Sequence, residues 1–300
     1  MILKSADDKS KRLALLEDLQ RSPLLDFSQK KWLREELMRL RKGIQGERDS
    51  AHYLDSYFKG NENLAVIHDL RLVVDGDVAQ IDHMIINRAL GMYLIETKNY
   101  SGNLVINDHG EYTVEYDDFR FGIPSPMEQS HRHQRILARL LEQLEISART
   151  QKQLECRHRV MLHPKATIQR PPAKSYDTTN VIKADQFPTW HEKFVNSHAV
   201  GSVFKLALNM RGIDTIREAG QKLMRQHRPA DMRTERGFDD HVIQVLENIL
   251  LLLGLAAPPG RDAGKLQFLV EQTPAEVGEK RQHRRAFDQA GAERVGNGYV

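Results

Sequence analysis

The spacing of apolar residues changes along the chain, and each change predicts a different element. Between residues 9 and 42 apolar side chains recur at helical intervals in a highly charged background. Trp32, Leu33, Leu37 and Leu40 form the stripe, and Ser28 is placed to cap it. Gly43 and Gly46 are expected to break this arm. A short amphipathic helix then runs from about Glu47 to Phe58, with Ala51, Leu54, Tyr57 and Phe58 as its apolar members and Gly60-Asn61 as its stop. From Leu64 to Tyr116 the pattern becomes that of strands. These are expected at Ala65–Ile67, Leu70–Val74, Ala79–Asn87, Gly91–Thr97, Asn103–Ile106 and Tyr112–Tyr116, with turns at Asp75-Gly76-Asp77 and Asn107–Gly110. A helix is expected after Pro126, continuing to about Thr150 on a stripe of Ile136, Leu137, Leu140, Leu141 and Leu144. Val160–Leu162 and Val181-Ile182 read as short buried strands. Phe204–Met210, Ile213–Arg225 and Asp239–Leu253 read as helices. Past Pro258-Pro259-Gly260 the periodicity is lost, and a disordered tail is expected.

This order of helices and strands predicts an α/β protein. It divides into an N-terminal helical arm (1–42), an α/β domain (43–197), a C-terminal helical extension (198–257) and a tail (258–300). The extension is a candidate surface for a protein partner. With 300 residues and 40% hydrophobic content, the chain has ample material for a core without disulfides. Its single cysteine, Cys156, excludes both an intramolecular disulfide and a cysteine-rich zinc site. The first residues lack the pattern of a secretory signal. The most apolar run, Ile249–Ala257, falls far short of the roughly 20 residues a membrane span needs. A cytoplasmic location with no membrane partner is therefore expected.

The net charge of +3 permits a polyanionic partner without demanding one. Basic residues are grouped in the arm (Lys30, Lys31, Arg34, Arg39, Arg41, Lys42). A second group comprises Arg132, Arg135, Arg139, Lys152, Arg157 and Arg159. Either group could touch phosphates or simply solvate a helix face. No aromatic spacing for stacking on single strands stands out, and no sequence-reading module is present.

The candidate chemistry lies in Gln80-Ile81-Asp82-His83 and Tyr93-Leu94-Ile95-Glu96-Thr97-Lys98-Asn99-Tyr100. Side chains alternate along a strand, so Glu96 and Lys98 share a face and Thr97 takes the other. If the two strands pair through a turn near Arg88–Gly91, Asp82 comes beside Glu96. His83 then faces away, as a structural residue. Two carboxylates offer hard oxygen ligands for Mg²⁺ or Mn²⁺, and an adjacent ammonium can orient water and stabilise developing phosphate charge. Such a set suits phosphodiester hydrolysis. A bare Glu-x-Lys is common and by itself reads first as a structural ion pair at a strand end; Asp82 on the preceding strand does not settle the choice.

Taken in order, Gly46-Glu47, Gln80-Ile81-Asp82-His83 and Ile95-Glu96-Thr97-Lys98-Asn99-Tyr100-Ser101-Gly102 resemble the NERD family, the nuclease-related domain, within the wider PD-(D/E)XK nuclease superfamily. The resemblance covers about residues 43–145. It implies a restriction-endonuclease-like core, a mixed central sheet flanked by helices, and Mg²⁺-dependent (or Mn²⁺-dependent) cleavage of DNA. Asp82 matches the metal-binding aspartate, and Glu96 and Lys98 match the (D/E)XK pair. Glu47 matches a glutamate of the first core helix that supports the metal. Gln129, in Ser125-Pro126-Met127-Glu128-Gln129, matches a glutamine that organises the site. His133, four residues beyond Gln129, could line the same site. A non-catalytic nucleic-acid-binding module and a regulatory protein on the same fold remain alternatives.

Overall fold

The computed structural model describes residues 1–23, 25–147, 154–196 and 209–229. The helices expected at 204–210 (but for its last two residues) and 239–253, and the tail, lie outside them.

Two helices open the chain after a short strand, β1 (Ile2–Lys4): α1 (Ser10–Arg21) and α2 (Phe27–Phe58). The break expected at Gly43 and Gly46 is absent, and α2 runs unbroken through both. A helical glycine costs about 1 kcal/mol relative to alanine, and at Gly46 packing supplies the reason for bearing it. A Cβ there would stand 2.7 Å from Cβ of Asn99, in the turn that follows the expected site strand. The glycine lets α2 approach that turn, and the amide of Asn99 secures the contact by donating to the carbonyl of Lys42. The cap also differs from expectation. Asp26, not Ser28, caps α2, its carboxylate accepting from the backbone of Gln29 while the Gln29 side chain accepts from the backbone of Asp26. Gly46→Ala should therefore lower stability by about 1–3 kcal/mol despite alanine's better helix propensity. An unchanged or raised urea midpoint would contradict the close approach.

The strands follow as β2 (Leu64–Val74), β3 (Asp77–Asn87), β4 (Met92–Lys98), β5 (Asn103–Ile106), β6 (Tyr112–Glu115) and β7 (Arg120–Ile123). Then come α3 (Pro126–Gln143), β8 (Cys156–Leu162), β9 (Ile168–Gln169), β10 (Val181–Lys183), α4 (residues 187–196) and α5 (Ile213–Arg225). The helix α3 stops earlier than the expected Thr150, and Glu145 beyond it takes a positive φ of 54°. The two segments expected on either side of His68-Asp69 form one strand, β2, interrupted only by Asp69 at φ 53°. Asp75 and Gly76, at φ 51° and 82°, make the tight turn that joins it to β3.

Six strands build the main sheet in the order β1-β2-β3-β4-β8-β10, and four build a smaller one, β7-β6-β5-β9. In the main sheet β3 runs antiparallel to both of its neighbours, β2 and β4, while β4 pairs with β8 in parallel and β8 with β10 in parallel. The sheet is therefore mixed and flanked by helices, as the resemblance implies. Alternation along the strands divides the core between the two faces. Ile67, Met84, Ile86, Met92 and Leu94 pack with Leu137, Leu140 and Leu141 of α3 and Ile216 and Leu223 of α5. Val66, Ile85, Tyr93, Ile95 and Met161 pack with Leu54 and Phe58 of α2 and with Phe187, Trp190 and Phe194 of α4. The smaller sheet closes a third core, in which Leu104, Ile106, Tyr112 and Val114 meet Val160, Leu162 and Val181.

Among the described residues no helix is long and apolar enough to cross a membrane.

Candidate active site

Both faces of the sheet contribute at the C-terminal end of β4. The β3–β4 register pairs His83 with Ile95, so the next step brings Asp82 level with Glu96. Oδ2 of Asp82 accepts a 2.7 Å hydrogen bond from the backbone N–H of Thr97, which locks the aspartate across the strand pair. Glu96 continues the face of Met92 and Leu94 toward α3 and is 3% exposed. Nζ of Lys98 donates to Oε1 of Glu96 at 2.7 Å and to Oε1 of Gln129, in the first turns of α3, at 3.2 Å. Four of the five expected residues, Asp82, Glu96, Lys98 and Gln129, thus meet at one place. His133, one turn further along α3, brings Nδ1 to 3.9 Å from Oε2 of Glu96. Burial, with Arg132 and Lys98 nearby, pushes the pKa of His133 down to about 4. The imidazole is neutral at pH 7, so this contact is no ion pair despite its distance.

The fifth residue, Glu47, is drawn another way. Its Oε2 accepts a 2.7 Å bond from Lys9, which also stands 3.2 Å from Oδ2 of Asp69. Glu47 nonetheless remains close enough to raise the pKa of both Asp82 and Glu96. Sequence reasoning missed Lys9 and Asp69. The β2–β3 register pairs His68 with His83 and Leu70 with Ile81, which sets Asp69 opposite Asp82. The available signal was an acidic residue interrupting an apolar strand.

On the opposite face a buried chain of polar side chains supports the same strand end. Asp55 of α2 meets Nε2 of His68 at 2.9 Å, and the Nδ1 atoms of His68 and His83 lie 2.7 Å apart. Nε2 of His83 reaches Oγ1 of Thr97 at 3.0 Å. Burial and the neighbouring His68 hold the pKa of His83 well below its ordinary value. His83 therefore faces away from the carboxylates as a neutral structural group, and Thr97 is anchored from both sides.

Charge dominates the site. Burial raises the pKa of Asp82 well above the usual carboxylate range. Glu96 and Glu47 raise it further, and Lys98 and the Thr97 N–H oppose them. Burial likewise raises Glu96 and Glu47, against the pull of Lys98 and Lys9 respectively. Burial alone would lower Lys98, but Glu96 and Asp82 outweigh it and hold the ammonium protonated. When ionised, the four carboxylates Glu47, Asp69, Asp82 and Glu96 face only two ammonium groups, Lys9 and Lys98. Even with Arg132 acting on Glu96, negative charge exceeds positive in a region of low dielectric, which is costly unless a cation joins it.

The donor set, carboxylates with no thiolate, fits a hard divalent cation such as Mg²⁺ or Mn²⁺. Among the described residues, however, no three His, Cys, Asp or Glu side chains stand together closely enough to hold a metal ion. Lys98 and Lys9 take the facing oxygens of Glu96 and Glu47 instead.

The second basic group dissolves in the fold. Arg139 is tied to Asp77 at 2.5 Å, and Arg159 lies over the ring of Trp190 at 3.7 Å with Arg157 against Phe194. Lys152 lies outside the described residues. Arg132 and Arg135 stay exposed on α3, and Arg132 acts on Glu96 through its charge.

The mixed sheet flanked by helices is a restriction-endonuclease-like fold, and Asp82 and the Glu96-x-Lys98 pair come together at one of its strand ends. More narrowly, residues 42–163 match the family model of NERD, the nuclease-related domain. The match runs from the middle of α2 to the residue after β8. Comparison with curated proteins and with solved structures returns no match.

Proposed function

We propose that this protein is a metal-dependent nuclease that hydrolyses phosphodiester bonds, with DNA as its polymer. The observation that carries the reading is the meeting of Asp82, Glu96, Lys98 and Gln129 at one buried, negatively charged strand end. A surface ion pair would not need an aspartate fastened across from the neighbouring strand, nor a glutamine from a helix bonded to the same ammonium.

Asp82 and Glu96 would hold Mg²⁺ or Mn²⁺, with Glu47 as an outer carboxylate. The ion, when bound, would polarise a phosphoryl oxygen and lower the pKa of water. The remaining work belongs to side chains already in place. Lys98, protonated and held by Gln129, presents positive charge to a phosphate as negative charge develops on it. Because it keeps its proton, Lys98 orients and stabilises rather than acting as a base. His133, neutral and beside Glu96, can hydrogen-bond water or a phosphate oxygen without adding charge. Exposed Arg132 offers a backbone-phosphate contact of the kind that positions a nucleic acid without reading its sequence.

The test is a panel of single-stranded, duplex and branched DNA and of RNA, incubated with the chain in Mn²⁺ and in EDTA. Cleavage of a DNA member in Mn²⁺ alone is expected. Binding in EDTA without cleavage of any member in Mn²⁺ would replace the reading with a non-catalytic module.

A further inference from the structure

The basic residues of the N-terminal arm fall on one side of α2. Successive helical residues advance by about 100°, so Lys30, Lys31, Arg34, Arg41, Lys42 and Arg48 lie within a band about 120° wide. Leu33 and Leu37 turn away from it into the protein. Lys31, Arg34, Arg41 and Arg48 are exposed, and Lys30 and Lys42 are partly so. From Lys30 to Arg48 the band runs for roughly 27 Å, at about 1.5 Å per residue. Little negative charge answers it. Glu36 is taken by Arg12 and Arg39, and Glu17 of α1 holds Arg41. Asp49 is the one acidic residue inside the band. It accepts from Gln45 at 2.7 Å and faces His163 at 3.5 Å. Glu35 stands at the edge. Lys30, Lys31, Arg34 and Arg48 have no ion pair among the described residues.

Such a row is unfavourable for the helix by itself. Lys30 and Lys31 both stand one turn before Arg34, where like charges repel. They also sit near the start of α2, where the helix dipole disfavours cations and the first turn carries no acidic residue. A face that is merely solvated interleaves both signs of charge. The inner end of the band meets the candidate site. Nζ of Lys42 donates to Oγ of Ser101, and the Asn99 amide donates to the Lys42 carbonyl at 3.0 Å, in the turn that directly follows Lys98. Between Lys30 and Arg48 the only aromatic residue, Trp32, projects off the band. The band thus offers charge to phosphates rather than rings to bases. We infer that this face of α2 is a docking surface for duplex DNA, which takes the backbone phosphates by charge and leads the polymer to the strand end at Lys98. That role rests on the proposed hydrolysis of DNA. Phosphates follow one another at about 3.4 Å along a strand, so the band is long enough to face about seven or eight of them. Most of it precedes residues 42–163, and the arm therefore adds substrate binding that the matched stretch alone would lack.

The experiment measures binding of the full chain to a short fluorescent DNA duplex in EDTA across a salt titration. Each lost phosphate contact lowers the slope of log affinity against log salt by about one. A chain carrying Lys31→Gln, Arg34→Gln and Arg48→Gln together should therefore lose about three from that slope and bind more weakly at low salt, whatever the duplex sequence. All three side chains are exposed, so the fold should be kept, and near-UV circular dichroism checks this. A control chain with Lys174→Gln, Lys193→Gln and Lys222→Gln loses the same net charge from other surfaces, and its slope should change by less than about one. A slope that the arm variant shares with the intact chain would overturn the inference and leave the hydrolytic reading standing. So would a control that loses as much slope as the arm variant, since net charge and not this face would then govern binding. Vesicles rich in phosphatidylserine form a further arm. Vesicle binding lost in the arm variant while its DNA slope is kept would assign the face to a membrane instead. An intact chain that neither binds the duplex at low salt nor cleaves any nucleic acid in Mn²⁺ would overturn both readings.

Discussion

Lys98→Ala should reduce the rate of metal-dependent cleavage by about 10³-fold, the order expected when a group aimed at developing transition-state charge is removed. The loss should fall on kcat. Binding of nucleic acid should change little, because the ammonium is held by Glu96 and Gln129 rather than spread on a phosphate-tracking surface. The variant also leaves Glu96, 3% exposed, without its partner, so its thermal midpoint in EDTA should fall. Near-UV circular dichroism separates the two effects. A folded Lys98→Ala protein with an unchanged kcat would remove Lys98 from the chemistry.

Asp82→Asn should do the opposite to stability while removing activity as thoroughly. Burial and the charges of Glu96 and Glu47 raise the pKa of Asp82 in the folded protein. The folded state therefore holds this proton more tightly than the unfolded state does. By linkage, stability declines as pH rises from the ordinary aspartate range through the raised folded value, and stays lower above it. The asparagine cannot ionise, and its amide oxygen can still accept the Thr97 N–H. In EDTA at pH 8 the variant should be the more stable protein by about 0.5–2 kcal/mol, the usual gain when a functional site's strain is relieved. That advantage should shrink toward pH 4. Glu96 and Glu47 shift in the same direction, so some decline with pH should persist in the variant. Added Mn²⁺ should raise the midpoint of the wild type and leave Asp82→Asn unmoved. An asparagine variant less stable than wild type at pH 8 would contradict the repulsive cluster.

Much of this site was legible because strand alternation is a strict geometric rule. Once Glu96 and Lys98 were set on one face of a strand and Asp82 on its hairpin partner, the two-residue period brought them to one end. The helix expected at Ile213–Arg225 carries its apolar residues at a clear helical spacing, and α5 has those bounds. What stayed hidden depends on contacts distant in sequence. Gly46 looked like a helix stop because its local preference disfavours helix, whereas the close approach to Asn99 that outweighs this preference appears only in the folded chain. Lys9 lies 38 residues from Glu47, in a segment whose charge pattern matched any solvated arm. Asp69 looked like a break between two strands, because nothing local announces that Lys4 and Asp7 hold its turned backbone in line. The basic residues from Arg132 to Arg159 looked like one cluster because a sequence cannot show that Arg157 and Arg159 pack against the rings of α4 while Arg132 faces solvent. Tyr116, Phe119 and Phe121 had no recognisable spacing. They nevertheless stack nearly parallel at the turn leading into β7, with interplanar angles of 15–18°.

The central claim is that Asp82, Glu96 and Lys98 form one hydrolytic site that requires a divalent cation. Its most direct test is the rate of DNA hydrolysis by the intact chain across a Mn²⁺ titration, with Lys98→Ala purified alongside. The account predicts a rate that is absent in EDTA, rises to saturation with the metal, and is lost in the Lys98→Ala protein at every concentration. Hydrolysis that persists in EDTA, or that survives Lys98→Ala, would contradict it.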